Sequence, residues 1–149
     1  LSNTAANFFN RVGLLIPGFK GYKTKEELRD SDYKIRLFTQ NTVEIFIQKI
    51  EKYKRELDSD ELLEVDFQQK DLKIFSVKVA NQKFGYKAFF GDDSSEDSAK
   101  LLEKIVEHDK SLIDLLQEAN EVKQINLEFI KTLNDRLNDI LHERAILLG

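Results

Sequence analysis

The chain has 149 residues, of which 41% are hydrophobic and 34% are charged, so it can build the core of one domain spanning residues 1–149. It contains no cysteine, which excludes disulfides and cysteine-ligated zinc and favours a cytoplasmic protein. Its net charge of −4 argues against nucleic-acid binding, and no apolar run reaches the roughly 18 residues that an integral membrane segment needs.

The first predicted element is a helix over residues 3–16. Its apolar residues recur at steps of three and four and share one helical face: Phe8, Phe9, Val12, Leu15 and Ile16. Pro17 disfavours helical backbone at the preceding residue, so the helix should end near Ile16. Packing onto a helical bundle is favoured over binding to a membrane surface, because surface helices usually carry several basic residues and only Arg11 precedes Lys20. The chain has no methionine, so we do not expect Leu1 to be a natural start.

A corner rich in glycine and lysine follows, with the sequence IPGFKGYKTKEE. Gly13 and Gly18 have the spacing of a phosphate-binding loop, but Phe19 occupies the position where that loop requires lysine. We therefore predict a connection between two helices, in which the glycines take positive φ and Phe19 and Tyr22 fill the core.

The second helix should begin at Thr24, because Thr24 and Glu27 fit a capping box. Apolar residues at steps of three, four and seven continue to Leu57, which predicts a helix of about 34 residues and about 50 Å. Acidic residues precede basic ones by four positions in these pairs: Asp30 with Lys34, Asp32 with Arg36, and Glu51 with Arg55.

The third segment, residues 60–84, is ambiguous. Its β-branched and aromatic residues favour strands, so an α+β fold with a hairpin around residues 63–90 is the alternative to a helix. The alternation expected of a strand is poor, and two helical stripes fit instead, which favours the helix. One stripe contains Leu72, Phe75 and Val79, and the other contains Leu62, Val65, Leu72 and Val79.

A second corner, FGYKAFFGDDSSEDS, precedes the last helical region. Asp93, Ser94 or Ser95 can cap the helix that follows. A heptad rhythm then runs towards Leu148, with a slip in its second half. Because residues 118–124 contain neither glycine nor proline, we favour one long helix, or two helices with a tight connection.

The two histidines offer little metal chemistry. His108 lies at a heptad core position, where a polar residue commonly bonds to a neighbouring helix. His142 follows Asp139 by three residues, but the Glu-x-x-His pair of a di-iron bundle is absent. We predict no catalytic residues, no metal and no cofactor, and keep a small metal-binding protein or enzyme using carboxylates around His108 as an alternative.

Two blocks of the sequence resemble a pattern of uncharacterised bacterial proteins. The first, IPGFKGYKTKEELRDSDYKIR, resembles I-P-G-[YF]-x-G-Y-K-x-K-E-x-R-R-x-A-D-K-x-x-R at these positions: Pro17, Gly18, Phe19, Gly21, Tyr22, Lys23, Lys25, Glu26, Asp32 and Arg36. The second, FGYKAFFGDD followed by EHDKSLIDLL, resembles that family's Y-G-Y-x-G-F-F and E-F-D-x-x-L-L motifs, and ERAILLG is similar to its usual ending. Leu28, Ser31 and Ala88 depart from the pattern. The resemblance implies a predominantly helical fold and no established activity.

Taken together, these features predict an elongated all-α, up-down helical bundle with long, coiled-coil-like helices. With no credible catalytic set, the expected function is a non-enzymatic protein–protein interaction or scaffold module that binds a protein partner or forms a homo-oligomer. A membrane-surface binder using the N-terminal apolar segment is a further alternative. If the two corners meet at one end of the bundle, the interaction residues would be these: Phe19, Lys20, Tyr22, Lys23, Tyr86 and Lys87.

Overall fold

The computed structural model describes residues 3–22, 25–82 and 95–149, with side chains for 5–22, 27–82 and 100–149. Within these ranges the chain forms five α-helices and no strand: α1 (Asn3–Leu15), α2 (Lys25–Lys54), α3 (Ser59–Asn81), α4 (Ser95–Glu121) and α5 (Leu127–Leu148). The all-α prediction is confirmed. The hairpin alternative is wrong for residues 63–81, because these residues are helical. The rest of that predicted hairpin, residues 83–90, lies outside the described residues.

Four helices form a closed ring in which α2 packs on α3 and α4, and α5 packs on the same two helices. Arg36 near the start of α2 contacts the carbonyl of Val79 near the end of α3, so these helices are antiparallel. The helices α4 and α5 are antiparallel as well, because they pack against each other and only residues 122–126 connect them. The up-down prediction is therefore confirmed, and α1 lies outside the ring against α4.

The first helix packs with its apolar face inward, as predicted. Phe8 and Val12 are buried, and Ile16 closes the helix by donating its amide to the Val12 carbonyl at 2.7 Å. Arg11 ties α1 to α4 through Asp114, with Nη2 2.5 Å from Oδ1. None of the helices in the described ranges is long and apolar enough to cross a membrane.

The connection between α2 and α3 spans residues 55–58 and begins three residues earlier than the apolar pattern predicts. We expected α2 to continue to Leu57, but it ends at Lys54, because the next amides bond to carbonyls three residues back. Asp58 then caps α3 by accepting the Glu61 amide at 3.1 Å.

The predicted N-cap of α2, Thr24, lies outside the described residues. The pairs Asp30–Lys34 and Asp32–Arg36 form as predicted, as their contacts of 2.8 and 3.1 Å show.

The last helical region is two helices, so the favoured option of one long helix is wrong, and the option of two helices with a tight connection is confirmed. Asn126 accepts the amide of Phe129 at 2.7 Å and thereby starts α5. Lys49 of α2 donates to the carbonyl of Asn120 at 2.6 Å, next to the end of α4. A short polar cap thus interrupts the heptad pattern without glycine or proline. The residues proposed as caps of α4, 93–95, have no described side chains.

Candidate functional site

The corner between α1 and α2 has the predicted backbone. Gly18 and Gly21 take φ of 80° and 97°, in the left-handed region that favours glycine. The carbonyl of Gly18 accepts from Lys34 Nζ, and that of Gly21 accepts from Ser31 Oγ, both at 2.7 Å. Side chains of α2 therefore hold the corner, and Ser31, where the resembled pattern has alanine, contributes one of these bonds.

The aromatic residues of the corner pack against α1. The Tyr22 ring lies edge-on to Phe9 with centroids 5.2 Å apart, and Phe19 completes the group at 6.0 Å from Phe9 and 5.9 Å from Tyr22. Tyr22 is buried and Phe19 is half-buried. This agrees with the prediction that both side chains fill the core.

The Tyr22 hydroxyl points to a buried group of charged side chains from α2, α4 and α5. Arg144 donates from Nε to Asp109 Oδ1 at 2.7 Å and from Nη1 to Asp32. The Tyr22 hydroxyl donates to the other oxygen of Asp109. Each of the three charged residues is at most 1% exposed. We call Tyr22, Asp32, Asp109 and Arg144, together with Arg36, the buried clamp.

Arg36 extends the clamp to α3. Its Nε lies 3.1 Å from Asp32 Oδ2, while its Nη1 donates to the carbonyls of Val79 at 3.2 Å and Gln82 at 2.6 Å. Carbonyls at a helix C-terminus lack intrahelical donors, so Arg36 stabilises the end of α3. The clamp therefore joins all four helices of the ring, and its two carboxylates are matched by two guanidinium groups.

The environment of the clamp keeps Arg144 charged and Tyr22 neutral. Burial alone would lower the pKa of Arg144, but the carboxylates of Asp109 and Asp32 outweigh it and hold this pKa well above its ordinary value. Burial, followed by the neighbouring Asp109 carboxylate, raises the pKa of Tyr22 well above 10.0. Neither group changes its protonation state near neutral pH, which suits a structural role better than acid–base chemistry.

The cavity that the described residues form beside the clamp is too small for a substrate. A cavity beside Arg36 and Arg144, walled by apolar side chains such as Phe75 and Leu137, has about 10 Å³ of space for the centre of a water molecule. That volume suits about one water. We conclude that the clamp fixes the mutual positions of the helices and of the corner.

Asp109 and Arg144 are core residues that none of the sequence motifs above singles out. The signal was present, because Asp109 falls four residues after Ile105 on the apolar stripe of α4. Arg144 stands midway between Ile140 and Leu148 on the stripe of α5. A charged residue within an apolar stripe at helical spacing indicates a buried, paired charge.

The blocks that carry the resemblance meet at this clamp. The first block supplies Tyr22, Asp32 and Arg36, the second supplies Asp109, and the terminal ERAILLG supplies Arg144. Of the predicted interaction residues, Lys20 is exposed, whereas Phe19 and Tyr22 make the contacts described above. The other three, Lys23, Tyr86 and Lys87, and the corner at residues 84–91, lie outside the described residues.

His108 lies at the edge of the α4–α5 contact and is half-buried. Its Nδ1 is 3.0 Å from Glu143 Oε2, so it faces the neighbouring helix α5, but it lies at the edge of the core and not at the core position that the heptad pattern predicts. Arg136 and Asp139 line the same shallow groove. Among the described residues, no three His, Asp or Glu side chains are grouped closely enough to hold a metal ion.

A different feature, on the outside of the bundle, is a stripe of apolar side chains on α3. Leu63, Phe67, Ile74 and Val77 are between 53% and 71% exposed. With Lys70 and Asn81 they are spaced alternately by four and three residues, which is the spacing of a coiled-coil seam. We call these positions the α3 outer face: Leu63, Phe67, Lys70, Ile74, Val77 and Asn81.

The outer face points away from the bundle because α3 carries a second apolar stripe, which is buried. That stripe contains Val65, Leu72 and Val79, each at most 2% exposed. Other large exposed apolar residues in the described ranges are spread over three helices: Leu14, Tyr33, Leu37, Ile45 and Ile146. The outer face therefore combines four large exposed apolar side chains on a single helix, with Lys70 between the two halves of the seam.

Comparison of the chain with protein-family models, with curated protein sequences and with solved structures gives no match.

Proposed function

We propose that this chain is a non-enzymatic protein–protein interaction module whose binding surface is the α3 outer face. The observation that carries the proposal is the seam of four large apolar side chains, each more than half exposed. Contiguous exposed apolar surface on a folded domain marks an interaction site more often than a scatter of single residues does. The occupant of the seam is an amphipathic helix, because heptad spacing is complementary to the knobs of another helix.

The inner side of α3 is anchored, so the outer face is a preformed surface. Gln69 donates to the Ile47 carbonyl at 3.2 Å and to Glu51 Oε2 at 2.7 Å, both on α2. On the other flank, Asn134 of α5 donates to the Gln68 carbonyl at 3.0 Å. A rigid helix loses little conformational entropy on binding, which favours affinity.

The chemistry of the buried clamp supports a non-enzymatic role. Its charged groups are paired with one another, and Asp32 and Asp109 are fully buried. A catalytic acid or base must instead reach a substrate atom within hydrogen-bonding distance. The resemblance to an uncharacterised helical family stays a prediction and adds no activity to this proposal.

A photocrosslinking amino acid at Phe67, introduced into the chain in its source cell, tests the proposal. The matched control carries the same group at Glu44, an exposed position on α2. We expect adducts from Phe67 that mass spectrometry maps to the apolar face of a helix in a defined protein. Equal adduct yields from the two positions, or adducts that map to no helical face, would refute the proposal.

A further inference from the structure

We infer that the helix bound by the α3 outer face is α3 of a second copy of this chain, in antiparallel orientation. The inference rests on the proposed function, since it names the occupant of the same surface.

The charges of α3 are segregated along its length. Its first half, residues 59–69, contains four acidic and no basic side chains: Asp60, Glu61, Glu64 and Asp66. Its second half, residues 70–81, contains three lysines and one aspartate: Lys70, Lys73, Lys78 and Asp71. Two copies in antiparallel orientation place each acidic half beside a basic half, which a parallel pair cannot do.

A parallel pair is disfavoured at individual positions. In a parallel coiled coil, side chains that flank the seam pair across the two helices. The residue just before Phe67 or Ile74 in one helix lies beside the residue five positions later in the other helix. In a parallel pair, Asp66 of one copy would therefore face Asp71 of the other, and Lys73 would face Lys78. Each of these like-charge pairs would occur twice, because the dimer is symmetric. A parallel pair would also place Lys70 of one copy against Lys70 of the other within the seam. Like charges in these positions are destabilising.

The antiparallel orientation removes these conflicts at the flanks. With the pair centred near Leu72, Glu64 of each copy faces Lys78 of the other, which forms two opposite-charge pairs. If the antiparallel pair were centred closer to the N-terminus of α3, by a shift of one heptad between the two helices, Glu64 would face Asp71 of the other copy. Both residues are acidic, so this register is disfavoured. The two copies of Asp71 and the two copies of Lys73 do meet, but only at the centre and on opposite sides of the seam.

The same register fills the seam with apolar contacts. Phe67 faces Val77 of the second copy, and Ile74 faces the stem of Lys70. In the single chain the ammonium of Lys70 lies 3.1 Å from Asp66 Oδ2, which keeps it at the edge of the seam. A lysine at a seam position specifies register at a cost in stability. We therefore expect a reversible dimer that dissociates on dilution.

Sedimentation velocity of the purified full chain over a range of concentrations tests the inference. We expect a monomer–dimer equilibrium whose Kd rises about 30-fold or more for Phe67→Glu, as for other interface anchors. The matched control is Ile45→Glu, an exposed apolar position on α2 that is 54% exposed. It should leave the equilibrium unchanged, and circular dichroism should show equal helicity for all three proteins.

Orientation is tested separately, because the chain has no cysteine that would interfere with spin labelling. Labels at Asp71→Cys should lie close together in an antiparallel dimer. Labels at Glu64→Cys should be displaced by about 21 Å along the helix axis, which is the rise of 14 residues. Equal short distances at both positions indicate a parallel pair and overturn the inference.

Charge reversal supplies a rescue. Glu64→Lys and Lys78→Glu should each weaken the dimer, and the double variant should restore it, because the opposite-charge pair re-forms. A purified chain that stays monomeric at all concentrations, or a dimer insensitive to Phe67→Glu, overturns the inference. The proposed function fails independently if the crosslinker at Phe67 yields no specific adduct, and survives if that adduct comes from the helix of another protein.

Discussion

Arg144 and Asp109 form a fully buried ion pair between α5 and α4, with Nε of the arginine 2.7 Å from Oδ1 of the aspartate. Asp32 of α2 binds the same guanidinium, and Tyr22 of the α1–α2 corner donates to the same aspartate. One arginine thereby links three helices and a corner. Burying such a group adds little net stability, but removing one partner leaves uncompensated charges behind.

Arg144→Met should therefore lower the free energy of unfolding by roughly 3–5 kcal/mol, because Asp32 and Asp109 lose their shared buried counter-charge. Urea denaturation followed by circular dichroism measures the change. Arg136→Met is the matched control, since Arg136 is exposed on the same helix, and it should change stability by about 0.5 kcal/mol or less. An equal loss in both variants would contradict the role assigned to the clamp.

Tyr22→Phe should cost roughly 1.5–3 kcal/mol near neutral pH, because Asp109 then lacks one of its hydrogen-bond donors. Its effect also depends on pH. The folded-state pKa of Tyr22 lies well above its ordinary value of 10.0, owing to burial and the Asp109 carboxylate. Above pH 10.0 the unfolded chain releases the Tyr22 proton while the folded chain keeps it. The contribution of Tyr22 to the free energy of unfolding therefore falls as the pH rises through this range.

The measurement for this pH dependence is the free energy of unfolding between about pH 9 and 11, a window around the ordinary tyrosine pKa. The wild type should lose stability more steeply than Tyr22→Phe above about pH 10. Tyr33→Phe, which alters an exposed tyrosine on α2, should keep the wild-type slope. Parallel curves for the wild type and Tyr22→Phe would show that Tyr22 ionises normally in the folded chain.

Gly21→Ala should destabilise the corner by about 1–2 kcal/mol, because a side chain is strained at a φ of 97°. The added Cβ would also meet Phe9 Cδ2 at 3.4 Å. Gly13→Ala is the control with the opposite expected effect. Gly13 lies on the exposed side of α1, and a Cβ added there has no other atom within 4 Å. This substitution should stabilise the chain by about 0.5–1 kcal/mol through helix propensity. Thermal unfolding should thus shift in opposite directions for the two variants.

Asn126→Ala should cost about 1 kcal/mol, because the amide of Phe129 loses its side-chain acceptor at the start of α5. Asn126→Asp retains an acceptor at the N-cap and should remain close to the wild type. Chemical denaturation of the three proteins measures the difference. If alanine is tolerated as well as aspartate, the α4–α5 break is held by packing rather than by the cap.

Several features of the fold could be predicted from the sequence because they depend on neighbouring residues. The corner at Gly18 and Gly21 follows from proline and glycine chemistry, and the pairs Asp30–Lys34 and Asp32–Arg36 follow from helical spacing. The start of α5 was less visible, because the Asn126 cap interrupts a continuous apolar pattern. A single capping residue is a weak signal beside such a pattern.

By itself, the sequence determined the helical class, the stripe of α3 that contains Leu72 and Val79, and the position of the first corner, since propensity and periodicity are local properties. Only the tertiary structure decided that Leu63, Phe67, Ile74 and Val77 of the same helix stay exposed, because apolar side chains on either side of α3 could pack against the bundle. It alone brought Asp32 and Asp109 to Arg144, which lies 112 and 35 residues further along the chain. Partners so distant are selected by the packing of whole helices, which no local pattern encodes.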